Sequence, residues 1–359
     1  MQTTQLIKSH KLNFSSLDTI QECKNYMEVE GIGVNQVKSY VNGYMQDIES
    51  HTTYPVCVLS HMYDSKRSKF ITNLVAEANL RGLDREYYVF TYEDQKHLYD
   101  HLATTKKINI VYIGLNDPHY LTLSGKRQYI LEWCQKNGYD HAFFIEDDCY
   151  NYILPVGAVG ESGSFRNRPF GISNSMTFGL WEYIIKKHDL QYSGPVNNME
   201  FAFRNLDEKE FVRHLGQTVQ AVHIGVKFCF DKNIKFDHDA GWDDYDMIIQ
   251  QCVYGQGTHA IIFGYSTPAL KSGVSVMSSA QNSLAARCER NTTALIKKWG
   301  LSLVREDTKK GLYNAKINWA NIRLCLKNQV DPSQIIGLNH QEAKEYIKNK
   351  HNELAVTLF

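Results

Sequence analysis

Phe143-Phe-Ile-Glu-Asp-Asp-Cys149 is an apolar run that passes, without a spacer, into three consecutive carboxylates. His141–Ile145 reads as a short strand, and an unbroken apolar run of this kind suits a strand covered on both faces, as in a parallel sheet. The residues before it repeat one pattern. Ser124–Asn137 reads as a helix stopped by Gly138, Ile108–Ile113 and Tyr87–Tyr92 as strands, and Asp94–Thr104 as a helix. Ser65–Arg81 carries apolar residues at Phe70, Ile71, Leu74, Val75 and Ala78 and ends at Gly82, a helix with its usual stop. Tyr54–Ser60 is the first strand. This alternation predicts an α/β fold: a Rossmann-like, mostly parallel central sheet with helices on both faces, in which His141–Ile145 is the fourth strand.

That placement gives the acidic run its meaning. Residues just past a strand lie at the carboxyl edge of the sheet, where open α/β folds bind ligands. Like charges packed there are unfavourable unless a cation neutralises them. Oxygen-only ligands suit Mg²⁺ or Mn²⁺, which in turn bridge a diphosphate; on the other reading the run is a solvated acidic turn.

The second half is less regular. Gly157, Gly160, Gly163 and Gly171 read as loop markers, and His223–Phe230 and His259–Phe263 as strands. A helix is expected from Asp243 through Ile249 to Val253. Residues from about 290 onward are expected to be helical, ending in an amphipathic stretch over Ala343–Asn352. At the other end, residues 1–50 are polar, with helices expected around Leu17–Met27 and Val34–Ile48. The organisation predicted is a helical N-terminal extension (1–50), a central α/β domain (51–290, divided near 150 into two halves) and a helical C-terminal region (291–359).

At 359 residues with 43% hydrophobic content, the chain is long enough for a substantial core. Its formal net charge of zero gives no sign of a broad electrostatic hold on nucleic acid, although a local basic groove stays open. The eight cysteines are scattered with no C-x-x-C pair, as expected of buried free thiols in a reducing compartment. Met1-Gln-Thr-Thr-Gln-Leu6 has no apolar signal core, and no stretch approaches the ~18 apolar residues of a membrane span. A soluble, cytoplasmic protein with no membrane partner is the expectation.

Glu146-Asp147-Asp148 resembles the D-x-D-type motif of GT-A glycosyltransferases. The preceding Ser124-Gly-Lys-Arg127 helix and Gly138-Tyr-Asp-His-Ala-Phe-Phe-Ile strand are similar to the same family's arrangement. The resemblance implies Asp148 as a ligand of Mn²⁺ or Mg²⁺, with Glu146 or Asp147 facing the ribose or a metal-bound water. It implies Arg127 near the nucleotide, and Ser60, Arg67 and Glu93, after the first and second strands, around base and ribose. Trp242-Asp-Asp-Tyr-Asp-Met247 resembles the tryptophan, paired-acid and helix signature of inverting members. There one carboxylate deprotonates the acceptor hydroxyl, Asp244 by position with Asp243 as the alternative. First-turn acids are also what a helix macrodipole favours, so both stand as caps on the other reading. His223, His238 and His259 are candidates for a further metal ligand, His259 foremost.

The donor so implied is a UDP-sugar. Ser272-Gly-Val-Ser-Val-Met-Ser-Ser279, Arg287, Arg290-Asn291, Trp299-Gly300, Lys310-Gly-Leu-Tyr-Asn314 and Lys316-Ile-Asn-Trp319 resemble bacteriophage glycosyltransferases that modify hydroxymethylated pyrimidines in DNA, the TET/JBP-associated glycosyltransferases among them. This implies glucosyl or arabinosyl transfer to 5-hydroxymethylcytosine in double-stranded DNA. Ser162–Arg168, Lys186-Lys187, Arg204-Asn205 and Lys297-Lys298 are the expected phosphate-contacting rim, and each reads equally as a solvated surface. A glycan or protein acceptor, a sugar nucleotidyltransferase and a non-enzymatic binding module are the competing readings. The absence of glycine between Ser60 and Arg67 counts against the nucleotidyltransferase.

Overall fold

The computed structural model describes residues 53–149, 151–159, 165–172, 174–197, 212–214, 221–237, 242–266, 284–309 and 311–357. The helices expected around Leu17–Met27 and Val34–Ile48 lie outside them. Two compact units emerge, and neither is contiguous in sequence. One takes Met1–Asn116, Trp133–Lys227 and His259–Pro268; the other takes Asp117–Glu132, Phe228–Thr258 and Ala269–Phe359.

The first unit is built on one sheet. Its strands are β1 (Val56–Leu59), β2 (Tyr87–Tyr92), β3 (Ile108–Ile113), β4 (His141–Glu146), β5 (Asn151–Val159), β6 (Phe165–Ile172), β7 (Tyr192–Asn197), β8 (Val212–His214), β9 (Ala221–Gly225) and β10 (His259–Ser266). The central path runs β3-β2-β1-β4-β9-β7-β10, and β5 and β6 continue it beyond β10. Strands β3, β2, β1 and β4 pair in parallel, and β7 pairs in parallel with β10. Only β9 runs against the other six, pairing antiparallel with both β4 and β7. The sheet is therefore mostly parallel and Rossmann-like, as the sequence predicts. Its register sets Leu59 beside both Phe90 and Glu146, so the chain leaves β1, β2 and β4 along one edge.

Both faces of this sheet are covered. Val56, Val58, Tyr87, Val89, Phe143 and Ile145 point one way, into α1 (Lys69–Arg81) and α3 (Asn174–His188) through Phe70, Ile71, Leu74, Phe178, Trp181 and Ile184. The alternate residues meet α2 (Leu123–Lys136): Tyr88 packs tilted and Phe90 edge-on against Trp133, and Cys57 touches Cys134. Two-faced burial is why these strands read as continuous apolar runs. Phe143 sits at the centre, its ring 5.0 Å from Phe178 and 4.8 Å from Trp181. Truncating it leaves a ring-sized void in a packed interior, so Phe143→Ala should lower the stability of the unit by about 3–5 kcal/mol, read as a drop in the urea unfolding midpoint. Gly82 takes φ 81° and caps α1 through its N–H to Ala78, the role its position in the sequence suggested.

The other unit is largely helical. It holds α5 (Asp243–Tyr254), α6 (Leu284–Leu303), α7 (Trp319–Lys327) and α8 (His340–Thr357), together with most of the residues of α4 (Val226–Asp231).

Four expectations need correction. The strand expected over His223–Phe230 is β9 followed at once by α4, because the Val226 amide turns away to bond the Asp140 carbonyl. A continuous apolar run does not by itself separate the two states. The helix expected over Asp94–Thr104 is three short turns, Glu93–Gln95, Lys96–Tyr99 and Leu102–Thr104. The region after residue 290 is not all helical: β11 (Val304–Lys309) and β12 (Leu312–Ile317) form an antiparallel hairpin, with Gly311 at φ 76° in the turn. Gly157 and Gly171, read as loop markers, lie within the paired strands β5 and β6. The seven described cysteines are free and buried, and among the described residues no helix is long and apolar enough to cross a membrane.

Candidate functional site

In the sheet unit the acidic turn after β4 is tied down by hydrogen bonds from β1. The Asp147 amide bonds the Leu59 carbonyl, and the Phe70 amide at the start of α1 bonds the Asp147 carbonyl. One Asp147 carboxylate oxygen accepts from both Ser60 Oγ and Ser68 Oγ. A serine hydroxyl has a single hydrogen. Ser60 gives it to Asp147 and so accepts from Tyr99 Oη at 2.8 Å, which in turn accepts the Tyr63 amide at 3.1 Å. This chain of hydrogen bonds fixes the loop after β1. Ser60 and Asp147 were expected to face the nucleotide; both are engaged in holding β1, β4 and α1 together.

Asp148 is different. Burial pushes its carboxyl above the ordinary carboxylate range, and its buried Oδ1 has no hydrogen-bond partner among the described residues. An unpaired buried anionic oxygen is costly, and a cation is the usual remedy. Among the described residues no three His, Cys, Asp or Glu side chains stand close enough to hold a metal by themselves. Mg²⁺ commonly takes one or two carboxylates and completes its shell with water and substrate phosphates. Asp148, with Glu146 half-buried two residues earlier, fits that pattern rather than an all-protein cage.

The remaining candidates of this unit are spread out. Glu93 is exposed, with its carboxylate against Gly114 just past β3. Arg67 is exposed in the turn closed by its own amide to the Asp64 carbonyl. His259 does not join Asp148. The register runs His259–Ser193–His223–Phe143 across the sheet, level with the middle of β4 and five residues short of Asp148. Three inter-strand steps alone make about 14 Å. A shared metal is excluded by this spacing, and the His259 ring instead lies 3.3 Å from the Tyr192 carbonyl. His223 is buried in hydrogen bonds to His141 and Ser193, with its pKa driven down by burial. His238 lies outside the described residues.

In the helical unit, α5 opens with Asp243, Asp244 and Asp246 in its first turn. Its N-cap is Trp242, which supplies no side-chain cap, so other groups must hold the helix start. Arg127 of α2 does so for Asp243, its Nη1 2.6 Å from Oδ2 with both side chains largely buried. Arg127, expected near a nucleotide, contributes its Nη1 to Asp243. Asp244 is half-buried, and its carboxyl is raised to about 6, first by burial, then by the charge of Asp243, against a lowering by Arg127. Asp246 is fully buried and accepts from Trp299 Nε1 at 2.7 Å, Lys298 Nζ at 2.9 Å and Gln250 Nε2 at 2.7 Å.

Sequence reasoning passed over Asp246. The signal was present in Trp242-Asp-Asp-Tyr-Asp246 and in Lys298-Trp299, but their pairing is long-range. Lys298, assigned to a nucleic-acid rim, also binds Asp237 at 2.9 Å. Lys186 is likewise taken up, by Glu182 at 2.7 Å, and the stretch Phe165–Arg168 is strand rather than loop.

Gly125, two residues before Arg127, admits the preceding turn: a Cβ there would overlap the His119 carbonyl and crowd Tyr120. Gly125→Ala should therefore shift the α2 start and cost about 1–3 kcal/mol, seen as a lower midpoint in thermal unfolding. An unchanged midpoint would mean the turn yields freely.

No protein-family model matches the chain, and no curated protein does. Among solved structures, S. aureus TarS (residues 1–349) is similar at a TM-score of 0.39 and 12% identity, covering 83% of this chain and 87% of that one. A mycobacterial protein is similar at a TM-score of 0.37 and 10% identity, covering 76% of this chain and 86% of that one. The bifunctional glycosyltransferase WbbM is similar at a TM-score of 0.26 and 11% identity, covering 58% of this chain and 38% of its own.

Proposed function

We propose that this chain is a metal-dependent inverting glycosyltransferase that moves a sugar from a UDP-sugar to an acceptor hydroxyl. The observation that carries the reading is Asp148: a carboxylate with an orphaned buried oxygen, just past the fourth strand at the carboxyl edge of a mostly parallel sheet. A divalent cation bound there supplies charge neutralisation for the departing diphosphate. Asp148 holds the cation, and Glu146 contributes from the same turn. Asp147, Ser60 and Ser68 keep the turn in place, so the ligand meets a site that needs little reorganisation. Asp244 takes the proton of the acceptor hydroxyl as the new bond forms, a single displacement with inversion. A carboxylate with a pKa about 6 is ionised at neutral pH and still basic enough to accept that proton.

For the acceptor we propose 5-hydroxymethylcytosine in duplex DNA, supported by the phage-like segments of residues 272–319 in the sequence. The test is mass analysis of nucleosides from hydroxymethylcytosine DNA after incubation with Mn²⁺ and a panel of UDP-sugars. A hexose or pentose adduct on the modified cytosine is expected. UDP release that ignores this DNA but rises with a glycan would move the acceptor to a carbohydrate.

A further inference from the structure

We infer that Arg127 is a positioning residue for the proposed proton acceptor: by holding Asp243 in a short, buried ion pair, it reserves Asp244 for the acceptor's proton. The inference rests on the sugar-transfer reading and assigns Arg127 to the acid pair rather than to the nucleotide.

Two neighbouring carboxylates at one helix start are not equivalent when only one of them carries a short ion pair. Arg127 Nη1 stands 2.6 Å from Asp243 Oδ2, and both side chains are about nine-tenths buried. An acceptor hydroxyl could reach Asp243 Oδ2 only by displacing the buried guanidinium that already holds it. Asp244 meets the opposite situation. Burial raises its pKa first; among the described residues the Asp243 carboxylate raises it further and the Arg127 cation lowers it. The next acid of the turn, Asp246, is bound by Trp299 and Lys298 of α6 and by Gln250 of α5, and Lys298 is shared with Asp237. The Arg127–Asp243 pair therefore places one anion and one cation beside Asp244.

The two partners have opposite signs, so their removal has opposite results. Arg127→Gln takes away a cation and raises the pH at which Asp244 titrates, by about one pH unit or more. Asp243→Asn takes away an anion and lowers it. Arg127→Lys keeps the charge and stays near the wild type. A merely structural part for Arg127 would lower turnover without moving the titration in opposite directions.

The experiment follows the ¹³Cγ signals of aspartate-labelled protein across pH in the wild type and the three variants, with Asp244→Asn to assign the resonance. In parallel, the acid limb of kcat is measured with a UDP-sugar and Mn²⁺. Opposed shifts in Arg127→Gln and Asp243→Asn, followed by kcat, support the inference. An Asp244 titration that stays put in either folded variant overturns it. If Arg127→Gln does not fold, Asp243→Asn and Arg127→Lys decide the matter by the same signal. Absence of any UDP-sugar turnover in the wild type would instead sink the transfer reading, while the carboxyl titration still reports on Arg127.

Discussion

Asp244→Asn abolishes sugar transfer and leaves UDP binding close to that of the wild type. The amide keeps the volume and part of the hydrogen bonding of the carboxylate but cannot accept a proton. The loss expected for a positioned general base is about 10²–10⁴-fold in kcat. The pH profile carries the same information. The Asp244 carboxyl is raised to about 6 by burial and by Asp243. Its reactive form is the anion, so transfer is lost as pH falls through that region and levels off above it. Because Asp243 and Asp244 interact, the limb belongs to the pair rather than to one carboxyl. Steady-state kinetics from pH 5 to 8, with UDP affinity measured alongside, checks both statements. Retained transfer in Asp244→Asn would place the base elsewhere.

The second large effect is at Asp148, and it has two faces. With Mn²⁺ and a UDP-sugar present, Asp148→Ala should lose turnover by more than about 10³-fold, since the cation's neutralisation of the leaving diphosphate depends on it. Without metal, the same substitution should stabilise the protein at neutral pH. The folded-state pKa of Asp148 is raised by burial. A raised acid favours folding in its neutral form, and that contribution is lost as pH rises through the folded-state value. At pH 7 the unpaired anion therefore opposes folding, and its removal relieves the molecule. Near pH 4 the difference between wild type and variant shrinks. Added Mn²⁺ with UDP reverses the order, because it binds only the wild type. Thermal unfolding at the two pH values, with and without metal and UDP, separates these cases. A variant less stable than the wild type at pH 7 in EDTA would mark Asp148 as a structural carboxylate.

The parts of this account that could be read from sequence are those whose cause is local. Tyr87–Tyr92 and Ile108–Ile113 were legible to the residue, because each is a run rich in β-branched and aromatic residues that charged or glycine-containing turns end. The acidic turn after β4 was legible for the same reason. The hairpin of β11 and β12 was not: Arg305, Glu306 and Lys316 are exposed, and charged residues on a two-stranded ribbon look like a helix surface. His259 went astray because its place depends on strand order, which no local pattern encodes; β10 follows β7 across the sheet, far from β4. The pairing of Arg127 with Asp243 was not legible, since Asp243 lies 116 residues away in sequence. Asp246 was hidden among first-turn acids that helix electrostatics alone would favour.

The account depends most on a cation shared between the carboxylate past β4 and a diphosphate. Calorimetric titration of UDP into the wild-type protein, once with Mn²⁺ and once with EDTA, measures that sharing directly. The account predicts saturable binding with Mn²⁺ and at least about tenfold weaker binding in EDTA. Equal affinity in the two buffers, or no binding in either, would contradict it.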